Sequence, residues 1–117
     1  MSRANNISAI VDKIFFQSNL VDEVIVAGGY KIDMIEEYFR NADVDFDVRI
    51  IPEDKPLGTG GALGNCRDVV SGRFACFNGD IVSSLNVAPM LEQHSRMCVK
   101  GTLALLEVED PTRFGIV

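Results

Sequence analysis

The sequence predicts an α/β fold, an open and mostly parallel sheet with helices on both faces, and three features predict it. Segments with apolar residues at helical spacing alternate with short apolar runs, in the order α-β-α-β-α-β-α-β along 117 residues. Two of the short runs, Val24-Ile25-Val26-Ala27 and Phe74-Ala75-Cys76-Phe77, are apolar throughout, which is the pattern of parallel strands covered on both faces. Turns carrying Gly and Asn close these runs at their C-terminal ends, the end of an open α/β sheet at which ligands bind.

Taken in order, residues 1–5 are polar and without periodicity. Ile7, Ile10, Val11, Ile14 and Phe15 form a helical stripe that should end near Ser18-Asn19. Leu20-Val21 lead into a strand, Glu23-Val24-Ile25-Val26-Ala27. After the turn Gly28-Gly29-Tyr30, the positions of Ile32, Ile35, Tyr38 and Phe39 mark a second amphipathic helix. A polar loop over 41–45 precedes a strand over 46–51. A helix carrying Ala62, Leu63, Cys66, Val69 and Val70 then runs to about Val70, where Ser71-Gly72 stops it. Phe74-Ala75-Cys76-Phe77 is a further short strand. Asn86 reads as the N-cap of a helix from Val87 to about Met97, and Pro89 is acceptable there because first-turn N–H groups have no intrahelical partner. Thr102 to Glu109 is a longer strand with Leu103 and Leu105 on one face, followed by a turn at Asp110-Pro111 and the start of another strand. No repeat, low-complexity tract or linker interrupts the chain, and residues 1–117 read as a single domain.

Composition narrows the function. Eleven basic residues against seventeen acidic ones leave a net charge of −6, the wrong sign for a nucleic-acid surface. The same charge disfavours an anionic substrate unless a cation or local backbone dipoles offset the field. No apolar run approaches the roughly 20 residues that span a bilayer, and no signal-peptide pattern opens the chain. The cysteines Cys66, Cys76 and Cys98 are odd in number and widely spaced, as in a reduced, cytoplasmic protein. With one His beside them, a structural zinc site is not expected.

The chain is organised around Glu53-Asp54-Lys55-Pro56-Leu57-Gly58-Thr59-Gly60-Gly61-Ala62-Leu63, a strand-to-helix turn with glycine at three of four consecutive positions. Without a Cβ the backbone can take positive φ and approach a flat or charged ligand closely. Free N–H groups at the start of the following helix favour an electronegative group. The alternative is a turn that needs glycine for its geometry alone. A second loop, Phe77-Asn78-Gly79-Asp80, ends the next strand. A carboxylate at such a strand end is costly unless hydrated, hydrogen-bonded or bound to a cation. Mg²⁺ takes one or two carboxylates and completes its shell with water and phosphate oxygens, which suits Asp80. An Asn-Gly-Asp turn without a ligand is the competing reading.

Other stretches carry less. Val24-Ile25-Val26-Ala27-Gly28-Gly29-Tyr30 is not a Walker A loop or a GxGxxG fingerprint, and it reads as a structural turn. His94 stands in mid-helix with no Ser or Cys arranged near it. No nucleophile–base pair emerges.

These residues resemble the sugar-phosphate nucleotidyltransferases, which make NDP-sugars from an NTP and a sugar 1-phosphate. Glu53 with Pro56-Leu57-Gly58-Thr59-Gly60-Gly61-Ala62-Leu63 is similar to that family's base-binding turn, and Phe77-Asn78-Gly79-Asp80 to its metal-binding aspartate motif. Val108-Glu109-Asp110-Pro111-Thr112-Arg113-Phe114-Gly115-Ile116-Val117 is similar to the strand and turn that meet the sugar. The Leu-Gly-Thr-Gly-Gly form looks most like guanylyltransferases acting on mannose 1-phosphate or a related heptose phosphate. The resemblance implies a Rossmann-like, GT-A-like core, here incomplete. It implies that Glu53, Leu57, Gly58, Thr59, Gly60 and Gly61 hold the nucleotide, that Asn78, Gly79, Phe114 and Gly115 border the sugar, and that Asp80 is the catalytic, Mg²⁺-holding carboxylate. The implied reaction is in-line attack of the sugar phosphate oxygen on the α-phosphorus of the NTP, releasing pyrophosphate, with catalysis by positioning and charge stabilisation.

The sequence also departs from the family. The loop of form Gly-Gly-x-Gly-Thr-Arg that grips the triphosphate, the later Glu-Lys sugar contacts and the second metal-binding aspartate have no match in these 117 residues. In the family the strand bearing that loop lies between the strands equivalent to Val24-Ile25-Val26 and Phe74-Ala75-Cys76-Phe77. Without it those two runs lack a common partner: either the sheet closes differently, or another chain, a second copy included, supplies the strand, or the piece is only marginally folded. The chain is therefore expected to lack transferase activity by itself. A non-catalytic relative that binds nucleotide sugar for regulation is the alternative, and an unrelated α/β binding domain with a structural glycine turn is the third.

Overall fold

The computed structural model describes residues 20–79, 81, 84–113 and 115. It falls into two compact units, Met1–Asn86 and Val87–Val117. The stripe from Ile7 to Phe15 lies outside the described residues.

The first unit is built on a parallel pair of strands, β1 (Glu23–Gly28) and β2 (Asp47–Pro52), in register Glu23↔Asp47 through Gly28↔Pro52. Among the described residues these are the whole sheet. Val24, Ile25 and Val26 face Val48, Arg49 and Ile50, so β-branched residues dominate the pairing, as a pleated ladder favours. The register sets two acids, Glu23 and Asp47, opposite each other. Arg49, on the diagonal, answers with an ion pair to Glu23 at 2.8 Å. Both side chains are partly solvated, so the pair contributes on the order of 0.2–1 kcal/mol.

The crossover between the strands is α1 (Ile32–Asn41), the connection a parallel pair requires. Its first turn carries Asp33 and its last Arg40, each complementing the helix dipole. Asn41 closes the helix by donating from Nδ2 to the Glu37 carbonyl at 2.8 Å. After β2 comes α2 (Gly58–Asn65), which begins inside the glycine turn. The expected helix to Val70 stops five residues early. From Cys66 onward the chain tightens into i→i−3 bonds, Cys66 N to Leu63 O and Val69 N to Cys66 O, before Ser71-Gly72.

The parallel sheet with helices bears out the α/β class, and β1, α1 and β2 fall within a residue or two of their predicted bounds. Two expected strands are corrected. Residues 74–77 and 102–109 join no ladder among the described residues. Phe74 is 53% exposed, and Leu103, Leu105 and Leu106 are 70% or more exposed. A strand exists by its neighbour, and no described segment supplies one. Burial follows suit. Among the described residues, Phe46 and Cys66 are the buried apolar residues of the first unit, whereas β1, expected to be covered on both faces, is half-buried.

The second unit contains α3 (Ala88–Met97) and a 3-10 turn at Pro111–Arg113. Val87, not Asn86, occupies the N-cap, with no side-chain cap bond, and Pro89 sits in the first turn as expected. His94 Nδ1 lies 3.0 Å from Thr102 Oγ1, a packing role within the unit. Asp110 Oδ1 accepts from the Thr112 hydroxyl at 2.7 Å and the Thr112 N–H at 3.0 Å. These two bonds hold the Asp110 carboxyl below its usual range and form the turn before the expected sugar contact.

Cys98 ends α3 at φ 49°, a left-handed conformation that glycine adopts without steric cost. Cys98→Gly should therefore stabilise the chain by about 0.5–1 kcal/mol, read as a rise in the thermal or urea unfolding midpoint.

Candidate functional site

The two ends of the parallel pair differ chemically. At the amino end, Asp22, Asp45 and Asp47 line a cavity of about 230 Å³ with Val44 and Phe46, and three carboxylates there repel an anion. The carboxyl end carries the glycine turns and the start of α2.

There the ladder runs one bond past the strands: the Glu53 N–H donates to the Gly28 carbonyl at 2.9 Å. The next residue, Gly29, lies so close to Glu53 that a Cβ on it would stand 2.8 Å from the Glu53 carbonyl oxygen. This pins the β1–α1 loop onto the end of β2 and supports the structural reading of Gly28-Gly29. Glu53 then reaches forward, and its Oε2 accepts from the Leu57 N–H at 3.4 Å. Asn65, at the far end of α2, donates from Nδ2 to the Pro52 carbonyl at 3.2 Å. Both ends of the turn-helix segment are thus tied to the end of β2.

The glycines of the turn serve different purposes. Gly58 has φ +70°, which only glycine takes freely. Gly61 has Leu57 Cβ 2.7 Å from where its own Cβ would be, so it lets the turn close. Gly60 has neither constraint: its φ is ordinary and nothing lies within 4 Å of a Cβ built there. No side chain caps α2, so its first-turn N–H groups keep their donor capacity.

Leu57 and Gly61 also line a cavity of about 270 Å³ with Gly64, Asn65, Arg67 and Asp68. Asn65 and Arg67 were not singled out from sequence. Asn65 could have been found as the one amide on a helix otherwise made of Gly, Ala, Leu and Thr59, and Arg67 as the first cation after the turn. Arg67 sits 3.7 Å from Asp68, both largely exposed. The neighbouring Cys66 is buried, and burial first, then the charges of Cys76 and Glu53, pushes its thiol up and keeps it neutral.

The structure thus brings Glu53, Leu57, Gly58, Thr59, Gly60 and Gly61 together at one strand end. Asn78 and Gly79 form a turn closed by a bond from Ile81 N to Asn78 O at 3.4 Å. Asp80 and Phe114 lie outside the described residues. Gly115, in the second unit, is exposed with open space around its Cβ position. Among the described residues no group of three or more His, Cys, Asp or Glu could hold a metal, and no helix is long and apolar enough to cross a membrane.

The nucleotidyl transferase family model matches residues 5–117. A D-glycero-alpha-D-manno-heptose 1-phosphate guanylyltransferase of Aneurinibacillus thermoaerophilus is 35% identical over 98 residues, covering 83% of this chain and 43% of that protein. One of the same description from Campylobacter jejuni is 32% identical over 97 residues, covering 83% and 42%. A mannose-1-phosphate guanylyltransferase of Mycobacterium tuberculosis is 32% identical over 99 residues, covering 83% and 28%. The chain spans less than half the length of these relatives. No solved structure matches it.

Proposed function

The chain belongs to the nucleotidyl transferase family, and from that premise we propose that it is part of an enzyme that transfers a guanylyl group from GTP to a mannose- or heptose-type sugar 1-phosphate, giving the NDP-sugar and pyrophosphate. Both units belong to one nucleotidyltransferase domain in this proposal, and the family match running through both supports that. The observation that carries the function is the carboxyl-end arrangement. Glu53 braces the turn through Leu57 N–H, Gly58 turns the chain, and Gly60 leaves open backbone at the uncapped start of α2. A base edge needs such a surface, flat and backbone-lined with donors in fixed directions.

In the mechanism, residues 57–61 and Glu53 hold the base and so fix the α-phosphorus relative to the incoming sugar phosphate. Asn78, Gly79, Phe114 and Gly115 border the sugar. Asp80 would hold Mg²⁺, since an ion that takes most of its ligands from phosphate and water needs only one or two carboxylates. When bound, the ion supplies neutralisation of the phosphate charge. No covalent enzyme intermediate is needed. The protein acts in the cytoplasm.

These 117 residues contain no triphosphate loop of the form Gly-Gly-x-Gly-Thr-Arg. A non-catalytic, nucleotide-sugar-binding regulatory role is the second reading, since the same turn would hold a nucleotide sugar without any chemistry. In this proposal a partner chain or second copy pairs with residues 74–77, which join no ladder among the described residues. Calorimetric titration with GTP and GDP-mannose, with and without Mg²⁺, tests the proposal. GTP binding strengthened by Mg²⁺ and abolished in that dependence by Asp80→Asn is expected. Binding of GDP-mannose indifferent to Mg²⁺ favours the regulatory role, and no nucleotide binding at all overturns both.

A further inference from the structure

Tyr30 stands 81% exposed, directly after Gly29, at the carboxyl end of β1. A lone exposed tyrosine needs no explanation by itself. Three features set this one apart. Gly29 is fixed against the Glu53 carbonyl, so Tyr30, one Cα–Cα step of about 3.8 Å away, is held beside the residue that braces the glycine turn. Lys31 follows at φ 55° and ψ 35°, a left-handed conformation that costs a lysine on the order of 1–2 kcal/mol, where glycine would carry no such cost. The lysine placed there at that cost sets its Nζ over the Tyr30 ring, 5.7 Å from the centroid, within cation–π range. The loop therefore presents an aromatic face to solvent, backed by a cation, on the rim that carries Glu53 and residues 57–61.

An aromatic ring at the edge of a base-binding surface is a stacking platform, and a cation behind it suits a ligand that is both flat and anionic. In a chain of net charge −6, Lys31 is also a positive group on that rim. We propose that Tyr30 is a specificity-determining contact of the nucleotide site, stacking on the purine ring while the Lys31 ammonium lies on its opposite face. The assignment rests on reading the glycine turn as nucleotide-binding. It gives that site a preference for the larger ring system, because stacking grows with overlapped π surface.

The test uses the full chain in a Tyr38→Phe background, which leaves Tyr30 as its one tyrosine and keeps the ring that packs edge-on against Phe39. Titrating GTP should quench the Tyr30 emission, and UTP should quench it less. By calorimetry, Tyr30→Ala should bind GTP roughly tenfold more weakly, UTP less affected, and Tyr30→Phe should keep the wild-type affinity and the GTP-over-UTP preference. Unchanged emission on GTP binding, equal GTP affinity in Tyr30→Ala, or an equal fractional loss for GTP and UTP each overturns the assignment while leaving the site's function standing. No nucleotide binding by the unaltered chain overturns the function and the assignment together. The emission measurement needs no substitution at Tyr30, so it decides the matter even where Tyr30→Ala folds poorly.

Discussion

Gly60→Ala is expected to make the chain more stable and a poorer nucleotide binder. Position 60 lies inside α2 with ordinary φ and nothing within 4 Å of the added methyl. Helix propensity alone then predicts a gain of about 0.5–1 kcal/mol, since glycine loses more backbone freedom on folding than alanine does. A residue kept at the less stable choice without a packing reason points to a demand from outside the fold. If backbone at 60 meets the base, the methyl holds the ligand away and GTP affinity should fall by about tenfold or more, a loss of about 1.4 kcal/mol or more. Urea unfolding and calorimetric titration on one preparation measure both changes. Gly61→Ala is the control of opposite sign in stability, because its Cβ would stand 2.7 Å from Leu57 Cβ, too near the backbone to swing aside. An equally stable or less stable Gly60→Ala chain that binds GTP normally would return the glycine to a purely structural role.

Gly29→Val should cost about 1–3 kcal/mol, the range for forcing atoms into filled space. The obstacle is the Glu53 carbonyl oxygen, 2.8 Å from the new Cβ, and a backbone atom cannot rotate away as a side-chain tip can. Either the β1–α1 loop lifts or the end of β2 shifts, and each breaks the bond from Glu53 N to Gly28 O. Buried apolar residues are few among those described, so such a loss is a large share of the total stability. The expected result is a clear fall in the urea midpoint together with loss of GTP binding, because Glu53 moves with its backbone. Gly28→Ala, whose Cβ would meet the tip of the Ile32 side chain at 3.6 Å, should do neither.

How much of this was legible in sequence depended on how local the determinant was. The periodicity of Ile32, Ile35, Tyr38 and Phe39 and the branched run at Val24-Ile25-Val26 are determined within their own segments, and α1 and β1 appear where they indicate. Phe74-Ala75-Cys76-Phe77 has the same apolar character, yet pairing is a property of two segments and the run cannot announce its partner. The N-cap of α3 was misplaced by one residue because Asn86 is a good capping type, whereas Val87 holds the position without any side-chain bond. In the site, Glu53 and the glycines were legible from their spacing. The separate tasks of Gly58, Gly60 and Gly61 were not, because they depend on φ and on the distance to Leu57. Asn65, thirteen residues from the carbonyl it binds, was also beyond local reading.

The single amide–carbonyl link from Glu53 to Gly28 makes the two loops it joins mechanically one body. An insertion in either loop would shift Tyr30 relative to Glu53 even with every side chain retained. Length, as well as residue type, is therefore under constraint at both places, and a relative with one added residue in either loop should recognise a different base.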